Sequence, residues 1–264
     1  MTYPILEYDP DPRALIEASS IHSPGAVPER AVLCFFPEVF EKVGAALGRE
    51  CARIHSERGP QAVYEVAVGD ERVAVLHPGV GAPAAAICLE TAIALGSSCF
   101  VSCGGAGALT PDLTLGQVIV PVAATRGEGT SYHYLPPDRE VTLDAAILSA
   151  VERFLNSEGI PFVRGKTWTT DALFRETRGL IERRRSEGCI SVEMEVAALL
   201  AVARFRRVTL ACLLYAGDSV ATSDWEHRAW WTANARETLF WMAARTCLSL
   251  PSDGLGLGRK SSSV

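Results

Sequence analysis

The stretch Ser191-Val192-Glu193-Met194-Glu195-Val196-Ala197-Ala198 sets two carboxylates around a methionine just where an apolar helix is expected to begin. Ionised carboxylates are almost never buried without partners. The aliphatic run 196–202 that follows puts these acids at the edge of a core. Two readings are open here: Glu193 and Glu195 form a solvated first turn favourable to the helix dipole, or they face a polar ligand.

Working outward, strand-like runs at 31–35, 62–68, 73–78, 99–103, 117–121, 162–168 and 208–215 alternate with helical stretches at 38–50, 83–95, 144–158, 177–187, 193–205 and 229–249. This alternation predicts a three-layer α/β architecture. There is no internal repeat. Residues 1–25 are rich in proline and acids and 251–264 in glycine and serine, so both ends are expected to be loosely ordered around one domain at 26–250.

The 264 residues, 48% hydrophobic and 21% charged, suffice for one large core. A net charge of -6 leaves no basic footprint for nucleic acid. The apolar runs are too short to span a bilayer, and the first 21 residues lack the basic start and apolar centre of a signal peptide. A cytoplasmic protein is expected. The 8 cysteines contain no Cys-x-x-Cys pair and read as small buried hydrophobes in a reducing compartment. Neither a metal nor a cofactor is implied.

Four further segments stand in order along the chain. They are Gly79-Val80-Gly81-Ala82-Pro83 with its following helix; Cys103-Gly104-Gly105-Ala106-Gly107-Ala108-Leu109 leading to 115–120; Arg126-Gly127-Glu128-Gly129-Thr130-Ser131-Tyr132-His133; and Gly217-Asp218-Ser219 after an apolar strand. Together with Glu193-Met194-Glu195, these segments resemble the nucleoside phosphorylase superfamily, its uridine phosphorylase-like branch most closely. The resemblance runs from about Arg30 to Leu248. It implies a single three-layer α/β/α domain with a mixed central sheet, and a homo-oligomer, a dimer or a trimer of dimers.

The activity implied is cleavage of a nucleoside's N-glycosidic bond, with inorganic phosphate as acceptor. Such a bond breaks through an oxocarbenium-like sugar, so the site needs acceptors for sugar hydroxyls and a way to stabilise the departing base. By the resemblance Glu195 accepts from the ribose 2′- and 3′-hydroxyls and Met194 lies against the sugar; Glu193 is either a third ribose contact or structural. Asp218 is the general acid for a purine leaving group, or else a turn cap. Gly104 and Gly105 line the base site. Leu173 stands where the family carries an aromatic, leaving Phe174 or Trp168 to stack on the base. The glutamine and arginine that read uracil in uridine phosphorylases are replaced by Thr177 and Gly179.

The phosphate site departs furthest from the family. Where the family has Gly-Asp-Pro and then an arginine, this chain has Phe35-Phe36-Pro37-Glu38; a second family arginine falls on Ser102. The cations offered in their place are Arg126 and Arg58, the latter resembling an arginine lent by a neighbouring subunit. Glu38 is similar to the acid with which nucleosidases of the same superfamily direct water, so it is a candidate catalytic residue for hydrolysis. Hydrolysis is therefore the alternative chemistry, and a nucleoside-binding protein without turnover is a third reading.

Overall fold

In the computed structural model, residues 3–22, 24–25, 27–55, 59–228 and 233–251 are described. The strands are β1 (Arg30–Cys34), β2 (Gly48–Ile54), β3 (Gln61–Val68), β4 (Glu71–Leu76), β5 (Cys99–Ala108), β6 (Val118–Gly127), β7 (Glu140–Thr142), β8 (Phe162–Thr170), β9 (Cys189–Glu193) and β10 (Thr209–Ser219). The helices are α1 (Pro37–Leu47), α2 (Ala82–Leu95), α3 (Ala145–Ser157), α4 (Arg178–Ser186), α5 (Val196–Arg206) and α6 (Ala233–Ser249).

The strands form one mixed sheet in the order β10-β6-β8-β9-β5-β1-β4-β3-β2, with β7 on β6. Because β10 also pairs with β5, the first five strands of that path close on themselves. Strand β5 is the hinge of this arrangement. Along 99–103 it lies parallel to β1 on one side and β10 on the other, and at Gly107 and Ala108 it pairs antiparallel with β9.

Helices α2 and α5 pack on each other, while α6 lies on β1, β5 and β10 with α1 and α3 against it. Helix α5 is buried from Val196 through Ala203. A helix apolar all round belongs inside a core, and that is where the run after Glu195 sits. The expected α/β class and mixed central sheet are what the chain adopts.

Strands β2, β7 and β9 have no counterpart among the expected runs, and two helix boundaries move with them. The helix expected to continue to residue 50 stops at Leu47, and the chain continues into β2, which pairs with β3 at the edge of the sheet. The helix expected to start at Glu193 starts at Val196, since 189–193 belong to β9, entered through Gly188 at φ 87°. A positive φ costs glycine nothing and other residues 1 kcal/mol or so.

The described part of the amino-terminal segment is tied down: Arg206 on α5 pairs with Glu17 at 3.4 Å and with Glu90 on α2 at 2.9 Å. Of the carboxy-terminal tail, 252–264 lie outside the described residues. All eight cysteines are free thiols, and all but Cys51 are buried. Among the described residues no helix is long and apolar enough to cross a membrane.

Candidate active site

The carboxyl ends of β4, β1, β5 and β10 and the end of β9 carry the segments that the motifs single out. Ligand sites of open α/β sheets lie at such strand ends. After β4 the chain turns through Gly79 and Gly81, at φ 82° and 97°, into α2. The Gly81 amide donates to Oε1 of Glu195 at 2.6 Å. This bond crosses from the α2 turn to the start of α5 and fixes the Glu195 carboxylate between them. Burial raises the Glu195 pKa above the usual carboxylate range, against the lowering effect of the Gly81 amide.

Glu193 has a different job. Its Oε2 accepts from the amides of Glu195 at 2.6 Å and Val196 at 2.7 Å, and its Oε1 from the Thr169 hydroxyl at 2.6 Å. The Thr169 oxygen in turn accepts from the Ala197 amide at 2.9 Å. Between them Glu193 and Thr169 satisfy the first amides of α5, which would otherwise be orphaned in the core. With 6% exposure and both oxygens engaged, Glu193 is a helix cap and not a ribose contact, which corrects the broader expectation. Burial, and then the neighbouring Glu195 charge, push its carboxyl up. Met194, between the two acids, is half-buried.

Gly107 joins the acid strand to the ribose side. A Cβ there would stand 3.0 Å from Val192 Cγ1 and 3.5 Å from Asp218 Oδ1, so the absence of a side chain brings β10 and β9 together. Asp218 is half-buried, and its Oδ2 accepts from the indole N–H of Trp225 at 2.7 Å. Glu176, just after the Leu173–Arg175 turn, faces the same region: burial first, and then the Asp218 charge, push its carboxyl up to about 7. Sequence reasoning missed Glu176. An acid inside the segment expected to cover the base was the available signal.

The remaining expected residues divide sharply. Gly105 is open to solvent on the strand end, with the Tyr215 ring 3.3 Å from where its Cβ would be, and Gly104 is buried under the Phe35 ring. Phe174 is 95% exposed. Trp168 is corrected to a core residue: it is 3% exposed, packed with Leu109, Ile181, Cys189 and Val192, with the Arg184 guanidinium 5.4 Å from its ring centroid. It has no face left for stacking.

Ser102 is 2% exposed inside β5 and shares a hydrogen bond with Cys212, whose thiol burial pushes up to about 12 against the lowering effect of that bond, so Ser102 faces the core and not an anion. Arg126 is likewise corrected. Its Nε donates to Ser131 Oγ at 2.8 Å and its Nη atoms to the carbonyls of Pro136 and Leu135, while its guanidinium lies 3.9 Å from the Tyr132 ring centroid. At 6% exposure it braces its own loop. Arg58 lies outside the described residues.

Glu38, at the amino end of α1, forms an ion pair with Arg236 of α6. No motif marked Arg236. Among the described residues, no three or more His, Cys, Asp or Glu side chains are grouped to hold a metal ion.

This chain belongs to the phosphorylase superfamily, whose family model matches residues 29–246. It is 27% identical over 154 residues to a uridine phosphorylase of Thermococcus kodakarensis, a match covering 53% of this chain and 56% of that protein, little more than half its length. It is 27% identical over 178 residues to the uridine phosphorylase of Salmonella typhimurium, covering 62% and 70%. A guanosine phosphorylase of Halorubrum lacusprofundi is 26% identical over 200 residues, covering 73% and 77%. The crystal structure of a uridine phosphorylase from Vibrio fischeri superposes with a TM-score of 0.71 at 21% identity, covering 85% of this chain and 93% of that one. That last likeness concerns the fold.

Proposed function

We propose that the protein cleaves the N-glycosidic bond of a ribonucleoside by phosphorolysis, releasing the base and ribose 1-phosphate. The observation that carries this reading is the Glu195 carboxylate, held by the Gly81 amide at 2.6 Å beside the helix α5 that Glu193 caps. A charged acceptor fixed in place binds the ribose hydroxyls more strongly as the sugar becomes oxocarbenium-like. Asp218 serves as the general acid at the base, with Glu176 beside it in the base pocket, and Gly105 offers an open strand end for the ring. Thr177 and Gly179, in place of the uracil-reading pair, leave the base unassigned within the nucleosides.

Family membership and the uridine and guanosine phosphorylases among its relatives support this reading. A cytoplasmic homo-oligomer, with residues 26–250 as its catalytic domain, completes it. The test is incubation of purine and pyrimidine nucleosides with and without inorganic phosphate, with product analysis. Ribose 1-phosphate formed only with phosphate is the expected result. Free ribose would mean hydrolysis, and no product would mean a binding protein.

A further inference from the structure

The end of β1, where the resemblance implies a glycine turn and an arginine, is filled with aromatic rings. Phe36 is 1% exposed and its ring centroid lies 5.8 Å from that of Tyr215, while Phe35 covers Gly104. The Arg126 guanidinium is consumed by its own loop, as described above. A dianion nevertheless needs a fixed cation.

Arg236 supplies one from the opposite end of the sequence. From the first turns of α6 it reaches the carboxyl ends of β1 and β10, where its guanidinium carbon lies 4.7 Å from the Phe36 ring centroid. Burial raises the phenol of Tyr215, and the charge and a hydrogen bond of Arg236 offset part of that rise. Its Nη1 meets Oε1 of Glu38 at 2.5 Å. The two partners are unequally placed: the arginine side chain is 12% exposed, Glu38 44%. The cation is thus the fixed partner, held against Phe36 and Tyr215, whereas the more exposed carboxylate can turn into water at little cost. Glu38 also stands in the first turn of α1, an end that favours any anion.

We infer that Arg236 is the phosphate-binding cation of this chain, and that Glu38 is a resident counter-ion which phosphate displaces. The inference rests on the phosphorolytic reading above. Phosphate outcompetes the carboxylate because it brings a second charge and more acceptor oxygens to the same guanidinium fork. Removing the Glu38 charge therefore strengthens phosphate binding, the opposite of what a water-directing base would do.

The test compares wild type, Glu38→Gln and Arg236→Gln by calorimetric titration with inorganic phosphate and by separate KM values for phosphate and nucleoside, with circular dichroism to confirm folding. Arg236→Gln is expected to weaken phosphate binding on the order of tenfold or more, the loss of one charge-assisted hydrogen bond. Glu38→Gln is expected to tighten it severalfold, with the nucleoside KM moving less in both. Should Arg236→Gln not fold, Glu38→Gln decides, and unchanged or weaker phosphate binding in that variant overturns the inference. A wild type that requires phosphate, with a phosphate KM unmoved in both variants, sinks this assignment alone. A wild type equally fast without phosphate sinks the phosphorolytic reading and this inference with it.

Discussion

The indole N–H of Trp225 donates to Oδ2 of Asp218 at 2.7 Å, so the loop after β10 is fastened to the candidate acid by one hydrogen bond. Trp225 is 60% exposed and stacks edge-on against His227, with ring centroids 5.0 Å apart. The contact orients the carboxyl without burying it. Asp218→Asn keeps the hydrogen bond and the volume but removes the transferable proton, and should slow cleavage of purine nucleosides by about 10²-fold or more. Trp225→Phe keeps the acid and loses only its orientation, so its loss of kcat should be much smaller. Steady-state rates on inosine and on a nucleoside with an activated leaving group check this. Equal losses for Asp218→Asn on both substrates would make Asp218 a positioning residue.

Glu195→Gln should reduce turnover of a ribonucleoside far more than that of its 2′-deoxy counterpart. The Gly81 amide can still donate to the amide oxygen of the variant, so the side chain stays in place. What disappears is the charge that strengthens the sugar contacts as the bond breaks. Ratios of kcat/KM for matched ribo and deoxyribo substrates measure it, and identical ratios in variant and wild type would remove Glu195 from the 2′-hydroxyl.

Seven of the ten described strands and most helices were legible because apolar runs and their periods are local properties of the chain; β2, β7 and β9 were not. Strand β5 was expected to end at Cys103, since Gly104-Gly105-Ala106-Gly107 has poor strand propensity. Pairing with β10 carries it on to Ala108. Ser102 and Trp168 were misplaced because β5 and β8 are buried on both faces there: their strand neighbours Val101, Cys103, Thr167 and Thr169 are all 0% exposed, so a match by position alone does not tell a core side chain from one that faces a ligand. Glu195 and Asp218 stand in motifs that mark them as candidates. Arg236 carried no such mark, because its meaning depends on Glu38, 198 residues earlier in the chain.

Glu193 and Thr169 form a capping unit whose loss should appear as instability. Thr169→Val leaves the Ala197 amide and one Glu193 oxygen without their buried partner, which should cost about 1–3 kcal/mol. Glu193→Ala should cost at least as much, because it uncovers the Glu195 and Val196 amides together. Urea denaturation midpoints at constant m report both values. The KM for a ribonucleoside in Thr169→Val should stay near wild type; a large rise in KM with unchanged stability would return Glu193 to the ribose site.

Glu176 gives a pH dependence with a definite sign. Its carboxyl is pushed to about 7 from an ordinary value of 4.5, first by burial and then by the Asp218 charge. A group that binds its proton more tightly when folded adds stability that is fully present below the unfolded value and lost as pH rises through the folded one. Glu193 and Glu195 are raised in the same direction. The melting temperature of wild type should therefore fall between about pH 5 and about pH 8. Glu176→Gln, neutral at every pH, should fall less steeply, leaving the slope that the Glu193 and Glu195 pair contributes. Calorimetric scans of both proteins in buffers of constant ionic strength make the comparison. Parallel curves for wild type and variant would show that Glu176 titrates as an ordinary surface acid and that its position beside Asp218 carries no proton into the folded state.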